Sequence, residues 1–227
     1  MRPLTDIEIE RIQKVIMTKE ISSAEILMEV YDHYISHLQE FSEEKFEEQL
    51  FELEQKFTYA YCHVLQAKFN KQAKQDISKT QWSVIRKYFC FSRWLYLAGI
   101  LAVVFFISSQ TSSDRELGIM MFSPMLLLLI SLIAFHFQSF KKLRPIKKAF
   151  KGNGIPIHSS LALPISERMY FTIFTVQMVF YFPKLWEDNL LFGNILPALA
   201  AMFTVVMVIY VLSLLEVWKI KSKTTLV

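Results

Sequence analysis

The stretch from Leu190 to Leu215 contains 26 residues and no charged side chain. A helix needs about 20 mostly apolar residues to cross the hydrocarbon core of a bilayer, so this stretch is long enough to span a membrane. Shorter apolar stretches precede it, and together they give four predicted spans, at about 90–110, 117–138, 168–186 and 190–216. Four such stretches following one another are poorly explained by burial in one soluble core, and they predict a multi-pass membrane protein.

The positive charges between these stretches predict the direction in which the chain crosses the membrane. Seventeen Lys and Arg residues lie in residues 58–93, 139–168 and 219–227, whereas the two remaining connections carry one each, Arg115 and Lys184. Short segments rich in Lys and Arg stay on the cytoplasmic side. We therefore expect both termini to be cytoplasmic. No signal-peptide pattern precedes the first span, which is expected to act as an uncleaved anchor.

The first 57 residues differ from the rest because they are acidic and amphipathic, with 14 acidic and 6 basic side chains. Thr5 with Glu8, and Ser22 with Glu25, have the spacing of a capping box, in which two side chains satisfy the free backbone N–H groups at a helix start. Apolar residues then recur at helical spacing in three segments, which predicts three packed helices. Residues 58–87 are basic and helical in pattern, and they are expected to lie against anionic lipid headgroups.

The predicted fold class is therefore all-α, with a cytoplasmic part and a membrane part. It comprises a small cytoplasmic three-helix domain (1–57), a basic helical stalk (58–87), a four-helix transmembrane bundle (88–218) and a cytoplasmic tail (219–227). The sequence leaves open whether residues 43–87 form one continuous helix.

The head contains a pattern found in one bacterial domain type. Its second segment includes Glu29-Val30-Tyr31-Asp32-His33-Tyr34-Ile35, and its third begins Phe46-Glu47-Glu48 with Phe57 eleven residues on. In these residues the head resembles the HAAS-type helical domain at the cytoplasmic N-termini of bacterial multi-pass membrane proteins. The resemblance implies a bacterial inner-membrane protein with a signalling or partner-binding head.

Two groups of side chains on the head are candidate sites. Glu29, His33 and His37 stand one helical turn apart, a spacing that lets side chains meet a single metal ion such as Zn²⁺. A polar helix face with no metal is the simpler interpretation, and we expect no metal or cofactor. An acidic run is either a solvated face or a docking surface for a basic partner, and it comprises Glu43, Glu44, Glu47 and Glu48.

The centres of the predicted spans contain no Asp, Glu, Lys or Arg. Proton relays and many ion pathways depend on charged residues inside the membrane, so this absence argues against a pump formed by this chain alone. The polar residues that occur there, His136, Gln177 and Asn194, are expected to form contacts between helices.

The 139–168 segment carries two further patterns. Basic residues alternate with apolar ones from Lys141 to Lys151, which fits a short amphipathic helix on the inner leaflet, and the sequence leaves open whether the 139–168 loop forms one. Pro156 and Pro164 predict extended chain after it. Leu163-Pro164-Ile165-Ser166-Glu167-Arg168 resembles an element that precedes a membrane helix in some ABC-2-type permeases, although those proteins have more spans.

The sequence contains no phosphate-binding Gly-rich loop, nucleophile elbow or CxxC pair, so we expect no enzyme activity. The basic stretches are expected to lie against the membrane, so we expect no nucleic-acid binding. The favoured function is a regulatory or scaffolding role, in which the cytoplasmic head of a multi-pass inner-membrane protein binds a protein partner. The alternative is a small permease-like transporter subunit that associates with an ATPase. Association with further copies of the chain stays open.

Overall fold

The computed structural model describes residues 2–110, 114–150, 154, 156–181 and 190–224. These residues form eight α-helices and no strand, which confirms the all-α class. The helices are α1 (Asp6–Met17), α2 (Ala24–Leu38), α3 (Phe46–Lys56), α4 (Tyr59–Tyr88), α5 (Trp94–Gln110), α6 (Asp114–Ala149), α7 (Ala162–Tyr181) and α8 (Leu190–Thr224). The described residues divide into unit 1, within 1–75 and 138–163, and unit 2, within 76–137 and 164–225.

One of the two expected capping boxes is confirmed. At the start of α1, the Glu8 amide donates to the Thr5 hydroxyl at 3.3 Å, and the Thr5 amide donates to the Glu8 carboxylate at 2.8 Å. The prediction for Ser22 and Glu25 is wrong. The residue before α2 is Ser23, its side chain caps no amide of α2, and Glu25 bonds instead to residues 159–161.

The helical segment after residue 43 is interrupted. α3 ends at Lys56, Phe57 has a non-helical backbone (φ −97°, ψ 65°), and α4 begins at Tyr59. The Phe57 side chain is buried in the core of unit 1, where its ring contacts that of Tyr34 at a centroid distance of 5.6 Å. In a continuous helix, the helical period would fix the direction of the Phe57 side chain. Interrupting the helix at this residue lets the ring enter the core.

Unit 1 has one hydrophobic core, and residues far apart in the sequence contribute to it. Ile12, Tyr34 and Leu38 from the first two helices are fully buried together with Leu50 and Leu53 from α3. Residues of the 138–163 segment are buried in the same core, namely Ile146, Phe150 and Ile157.

The sequence left open whether an interfacial helix forms at 141–151, and residues 141–149 instead belong to the longer helix α6. α6 runs without a break to Ala149, and its apolar side chains at this end pack on protein, with the ring of Tyr31 edge-on to that of Phe150 at 5.4 Å. The expectation of extended chain at Pro164 is wrong. Pro164 lies in the first turn of α7, where a missing backbone N–H breaks no helical hydrogen bond.

Unit 2 buries some large apolar side chains, such as Phe135 and Met169, but leaves many others exposed. Large apolar side chains are exposed on the parts of α5, α6, α7 and α8 that belong to this unit. Within the part of the chain that the structure describes, two helical segments are long and apolar enough to cross a membrane, Phe122–Ala149 and Ala198–Lys221, and α5 is a shorter apolar helix.

Candidate functional site

The site with the most long-range polar contacts in unit 1 joins the start of α2 to the chain before α7. We call it the clasp, and it comprises Ser22, Ser23, Glu25, Gln66 and residues 158–161. Two backbone hydrogen bonds of 2.9 Å frame it, from the Ala24 amide to the His158 carbonyl and from the His158 amide to the Ser22 carbonyl. Such a bridge holds two loops at a fixed separation.

The Glu25 carboxylate is the centre of the clasp. It accepts hydrogen bonds from the Ser159 hydroxyl, from the Ser160 amide at 2.9 Å and from the Leu161 amide at 3.4 Å. These two amides directly precede α7, and a carboxylate is stabilised beside the positive end of a helix dipole. Glu25 of α2 therefore supplies a negative charge to the start of α7, at a separation of 136 residues to Leu161.

Three serines close the clasp. The Ser160 hydroxyl donates to that of Ser23 at 2.8 Å, which in turn donates to the Glu25 carboxylate at 3.1 Å. Ser23, Ser159 and Ser160 are all buried. Because a buried hydroxyl without a partner costs about 1–3 kcal/mol, opening the clasp without water entry would be unfavourable.

Gln66 of α4 holds the other side of the α2 start. Its side-chain oxygen accepts from the amides of Ser22 and Ser23 at 3.0 and 3.1 Å, and its side-chain nitrogen donates to the Ser22 hydroxyl at 3.0 Å. The backbone amides of Ser22 and Ser23, just ahead of α2, are thus satisfied by a residue of another helix.

A second anchor fixes the start of α1. Arg2 forms a paired ion contact with Glu8 and donates through Nε to the Phe41 carbonyl at 2.8 Å. The guanidinium of Arg2 lowers the pKa of the Glu8 carboxyl to about 2, with further bonds from Thr5 acting in the same direction. Unit 1 is therefore held at both α1 and α2 by a carboxylate.

The histidines singled out by the sequence do not gather a metal site. The rings of His33 and His37 stack with centroids 6.5 Å apart, and His37 Nε2 lies 3.1 Å from the Gln49 side-chain oxygen. Glu29 is exposed on the same helix. Among the described residues, no group of three His, Cys, Asp or Glu side chains is placed to hold a metal ion.

The acidic residues of the predicted partner surface lie side by side near the start of α3. Glu43, Glu44, Glu47 and Glu48 are all exposed. Arg11 of α1 lies 3.7 Å from Glu47, in a pair that is largely open to solvent and therefore weak. The surface thus keeps a strong negative charge.

Of the three polar residues expected inside the membrane, only His136 has a described side chain. Its Nδ1 lies 2.9 Å from the Leu132 carbonyl of the same helix, and its ring meets that of Tyr170 at 6.1 Å. It therefore contacts a neighbouring helix through its ring edge. The side chains of Gln177 and Asn194 lie outside the described residues.

Unit 2 contains polar contacts that were not predicted from the sequence. Arg93 and Glu216 form two hydrogen bonds, of 2.6 and 3.0 Å. Arg168 donates to the side chains of Gln81 and Ser78, and Gln81 donates to the Ser213 hydroxyl at 3.3 Å. Each pair joins residues about 90 or more positions apart in the chain, so helical spacing contains no signal for them.

The clasp was likewise missed from the sequence. A local signal does exist for one half of it, because a serine followed by a proline shortly afterwards is typical of a helix start. Ser159 fits that pattern, and its hydroxyl accepts from the Ala162 amide at 3.1 Å. The Glu25 half has no such signal, since its partners are brought near only by folding.

The thiol and phenol in the core of unit 1 are not activated for chemistry. Burial raises the pKa of the Cys62 thiol and that of the Tyr34 hydroxyl. Both groups are therefore neutral near pH 7, whereas a nucleophilic cysteine needs a lowered pKa.

Comparison of this chain with known protein families, with curated proteins and with solved structures finds no match.

Proposed function

We propose that this chain is a four-span protein of a bacterial inner membrane whose HAAS-like cytoplasmic head binds a protein partner and regulates the membrane part. The exposed apolar surface of unit 2 carries this proposal. Only 28% of the most apolar stretch of Phe122–Ala149 is buried, whereas a core helix of a soluble protein is mostly buried. Aromatic residues are also exposed on α5 and α7, such as Phe106 and Phe171, so the exposed apolar surface extends to these two helices.

The clasp supports a regulatory role for the head. Glu25 belongs to α2 of the head, while Ser160 and Leu161 directly precede α7, the helix proposed as the third span. A partner that shifts α2 would strain or open these bonds, and so would change the start of α7. The proposed route by which binding is transmitted is short, because hydrogen bonds join Glu25 to Ser160 and Leu161, and Leu161 directly precedes the first residue of α7.

The acidic surface at Glu43, Glu44, Glu47 and Glu48 is the proposed partner contact, because its charge is exposed and mostly unneutralised. A basic partner surface would be steered toward it, and long-range attraction raises the rate of association.

Reporter fusions to the full chain test the membrane topology. Alkaline phosphatase joined after residues 113 and 187 should be active, and joined after residues 152 and 224 it should be inactive, because it folds only outside the cytoplasm. Recovery of the chain in the supernatant after carbonate extraction of membranes would contradict the proposal.

Cross-linking in intact cells tests the partner contact. Replacing Glu44, Glu47 and Glu48 by Lys should abolish the cross-linked species, whereas the matched triple change of Glu29, Asp32 and Glu40 to Lys, exposed on and just after α2, should leave it intact. If both triple variants lost the cross-linked species equally, the acidic surface would not be the partner contact. A co-purified ATPase subunit would favour the permease alternative.

A further inference from the structure

The last turns of α4 have two faces of different character. One face is buried within unit 2, and it comprises Ile77, Gln81, Val84 and Tyr88. The opposite face and the turn that follows α4 carry what we call the aromatic patch, which comprises Lys79, Trp82, Arg86, Phe89 and Phe91. Its three aromatic side chains are 62%, 66% and 96% exposed in chain order. Large aromatic groups left so open are unfavourable in water, so this patch requires another surface to cover it.

Polar contacts hold this part of the chain at one end of α8. Three of them join Asp76 to Lys221, Gln81 to Ser213 and Arg93 to Glu216. All three partners lie within residues 213–221, which rise only about 12 Å along α8. Residues 76–93 therefore stay beside the end of this helix and do not follow it toward its centre.

In the proposed topology, that end of α8 marks the cytoplasmic boundary of the fourth span. Residues 190–215 carry no charge, whereas Glu216, Lys219 and Lys221 follow directly. The third span begins at the same level, because Arg168 of α7 donates to the side chains of Gln81 and Ser78. The contacts of α4 with two helices thus set the aromatic patch at the depth where hydrocarbon gives way to lipid headgroups.

The charges of the aromatic patch favour an anionic surface. The sequence contains no acidic residue from 77 to 113, and among the residues that the structure describes no ion pair is formed by Lys79 or Arg86. Tryptophan concentrates at the boundary of a bilayer, and long cationic side chains reach from there to the headgroups. Cations interleaved with aromatic rings therefore match a bilayer that contains acidic lipids.

The exposed apolar surface continues from the aromatic patch into α5. Trp94, Leu95 and Tyr96 open that helix and are more than half exposed, at 59%, 78% and 71%. This helix is the proposed first span, whose surface faces lipid. A single lipid surface would cover both the patch and the start of α5 without a break.

We propose that the aromatic patch is immersed in the cytoplasmic leaflet of an anionic bilayer, with its aromatic rings at the upper acyl chains and Lys79 and Arg86 at the lipid phosphates. This inference rests on the proposed membrane function, and it narrows the headgroup contact expected for residues 58–87 to the last turns of α4. Interfacial segments of this kind bury their apolar side chains about 5–10 Å into the boundary between headgroups and acyl chains.

Cys90 is a native probe of this immersion. It is exposed and directly follows Phe89, whereas Cys62 is buried and stays unlabelled. The full chain is labelled with a nitroxide and reconstituted in vesicles of equal parts phosphatidylcholine and phosphatidylglycerol. Electron paramagnetic resonance then compares collisions of the label with oxygen, which concentrates in lipid, and with a nickel chelate, which stays in water. S36C in a C90S chain is the reference, because Ser36 is exposed on α2 of unit 1.

The Cys90 label should collide more with oxygen than with nickel, and the S36C label should show the reverse. W82Q combined with F89Q should lower the oxygen-to-nickel ratio at Cys90 about threefold or more, because the segment loses two interfacial side chains. F51Q is the matched control, since Phe51 is also 62% exposed but belongs to unit 1, and it should leave the ratio unchanged.

Equal ratios at Cys90 and S36C in vesicles that carry the chain would overturn the inference, as would an unchanged ratio in the W82Q and F89Q chain. A Cys90 label shielded from both reagents would assign the patch to a protein contact and also overturn it, with spin–spin broadening between labelled chains identifying a second copy. Failure of the wild type to float with the vesicles would instead contradict the proposed membrane function, so the two failures are distinguishable.

Discussion

Units 1 and 2 are both helical, yet unit 2 leaves many more of its large apolar side chains exposed than unit 1 does. In unit 1 a single core buries apolar residues from α1, α2, α3 and the 138–163 segment, and the exposed surface around α3 is acidic. In unit 2 many large apolar residues are exposed, such as Phe106, Ile130 and Phe171, while others such as Phe135 are buried, and polar pairs such as Arg93 with Glu216 join distant parts of its chain. The same physics explains both, because each unit keeps apolar groups out of water if unit 1 lies in water and unit 2 lies in lipid.

The largest expected effect tests whether the 138–163 segment belongs to the core of unit 1. Phe150 is 6% exposed, whereas Phe140 is 60% exposed in the same segment. F150A should lower the free energy of unfolding of unit 1 by about 3–5 kcal/mol, because it deletes a buried ring. Hydrogen exchange of the α1–α3 amides in the full chain measures this, and F140A should change it by less than about 0.5 kcal/mol. If F150A and F140A had similar effects, the result would contradict the assignment of residues 138–163 to the core of unit 1.

The second effect tests the environment of the exposed apolar residues. Ile130 of unit 2 and Ile7 of unit 1 are 69% and 81% exposed. I130K should disfavour membrane insertion by about 3 kcal/mol, because lysine is costly at the centre of a spanning helix. I7K should leave insertion unchanged. The fraction of chain recovered in the membrane measures both, and equal recovery of I130K and wild type would contradict the membrane assignment.

The third effect tests the clasp. E25A should destabilise the contact between α2 and residues 159–161 by about 2–3 kcal/mol, because the buried serines and the two amides lose a charged acceptor. Faster hydrogen exchange at Ser160 and Leu161 would report the loss. E29A, one turn further along α2 and exposed, should leave that exchange rate unchanged.

The smallest effect concerns the pH dependence of unit 1. The pKa of Glu8 falls to about 2 in the folded protein. The ionised Glu8 carboxylate therefore adds fully to the free energy of unfolding at pH values well above the ordinary pKa of a glutamate, and this stabilisation is lost as the pH drops toward 2. We expect a loss of about 1–2 kcal/mol between about pH 5 and pH 2, reduced by solvent around Arg2. Acid unfolding measured by circular dichroism should be shallower in E8Q.

E10Q provides the control for that measurement. Glu10 pairs with Lys14 at 2.8 Å, but both side chains are largely exposed, so the pair contributes little to stability. E10Q should therefore keep the steep acid transition of the wild type, and a flattened transition in both variants would assign the pH dependence to general charge rather than to Glu8.

The helical spacing of apolar residues predicted more of the fold than of the clasp. Thr5 and Glu8 are neighbours in the sequence, so their capping box could be predicted and is confirmed. Ser22 and Glu25 have the same spacing, yet Glu25 bonds to residues more than 130 positions away. The local spacing of residues predicts which hydrogen bonds a side chain can form with its neighbours in the sequence. It does not predict which distant groups will compete for that side chain in the folded protein.

What the sequence by itself determined is the all-helical class, the positions of the apolar stretches and the presence of an amphipathic pattern at 141–151. Only the tertiary structure decided what covers that pattern. Ile146 and Phe150 are buried against protein rather than left for lipid. The physical reason is that the hydrophobic effect is non-directional: an apolar face must leave water, but its periodicity contains no information on whether a bilayer or another helix covers it.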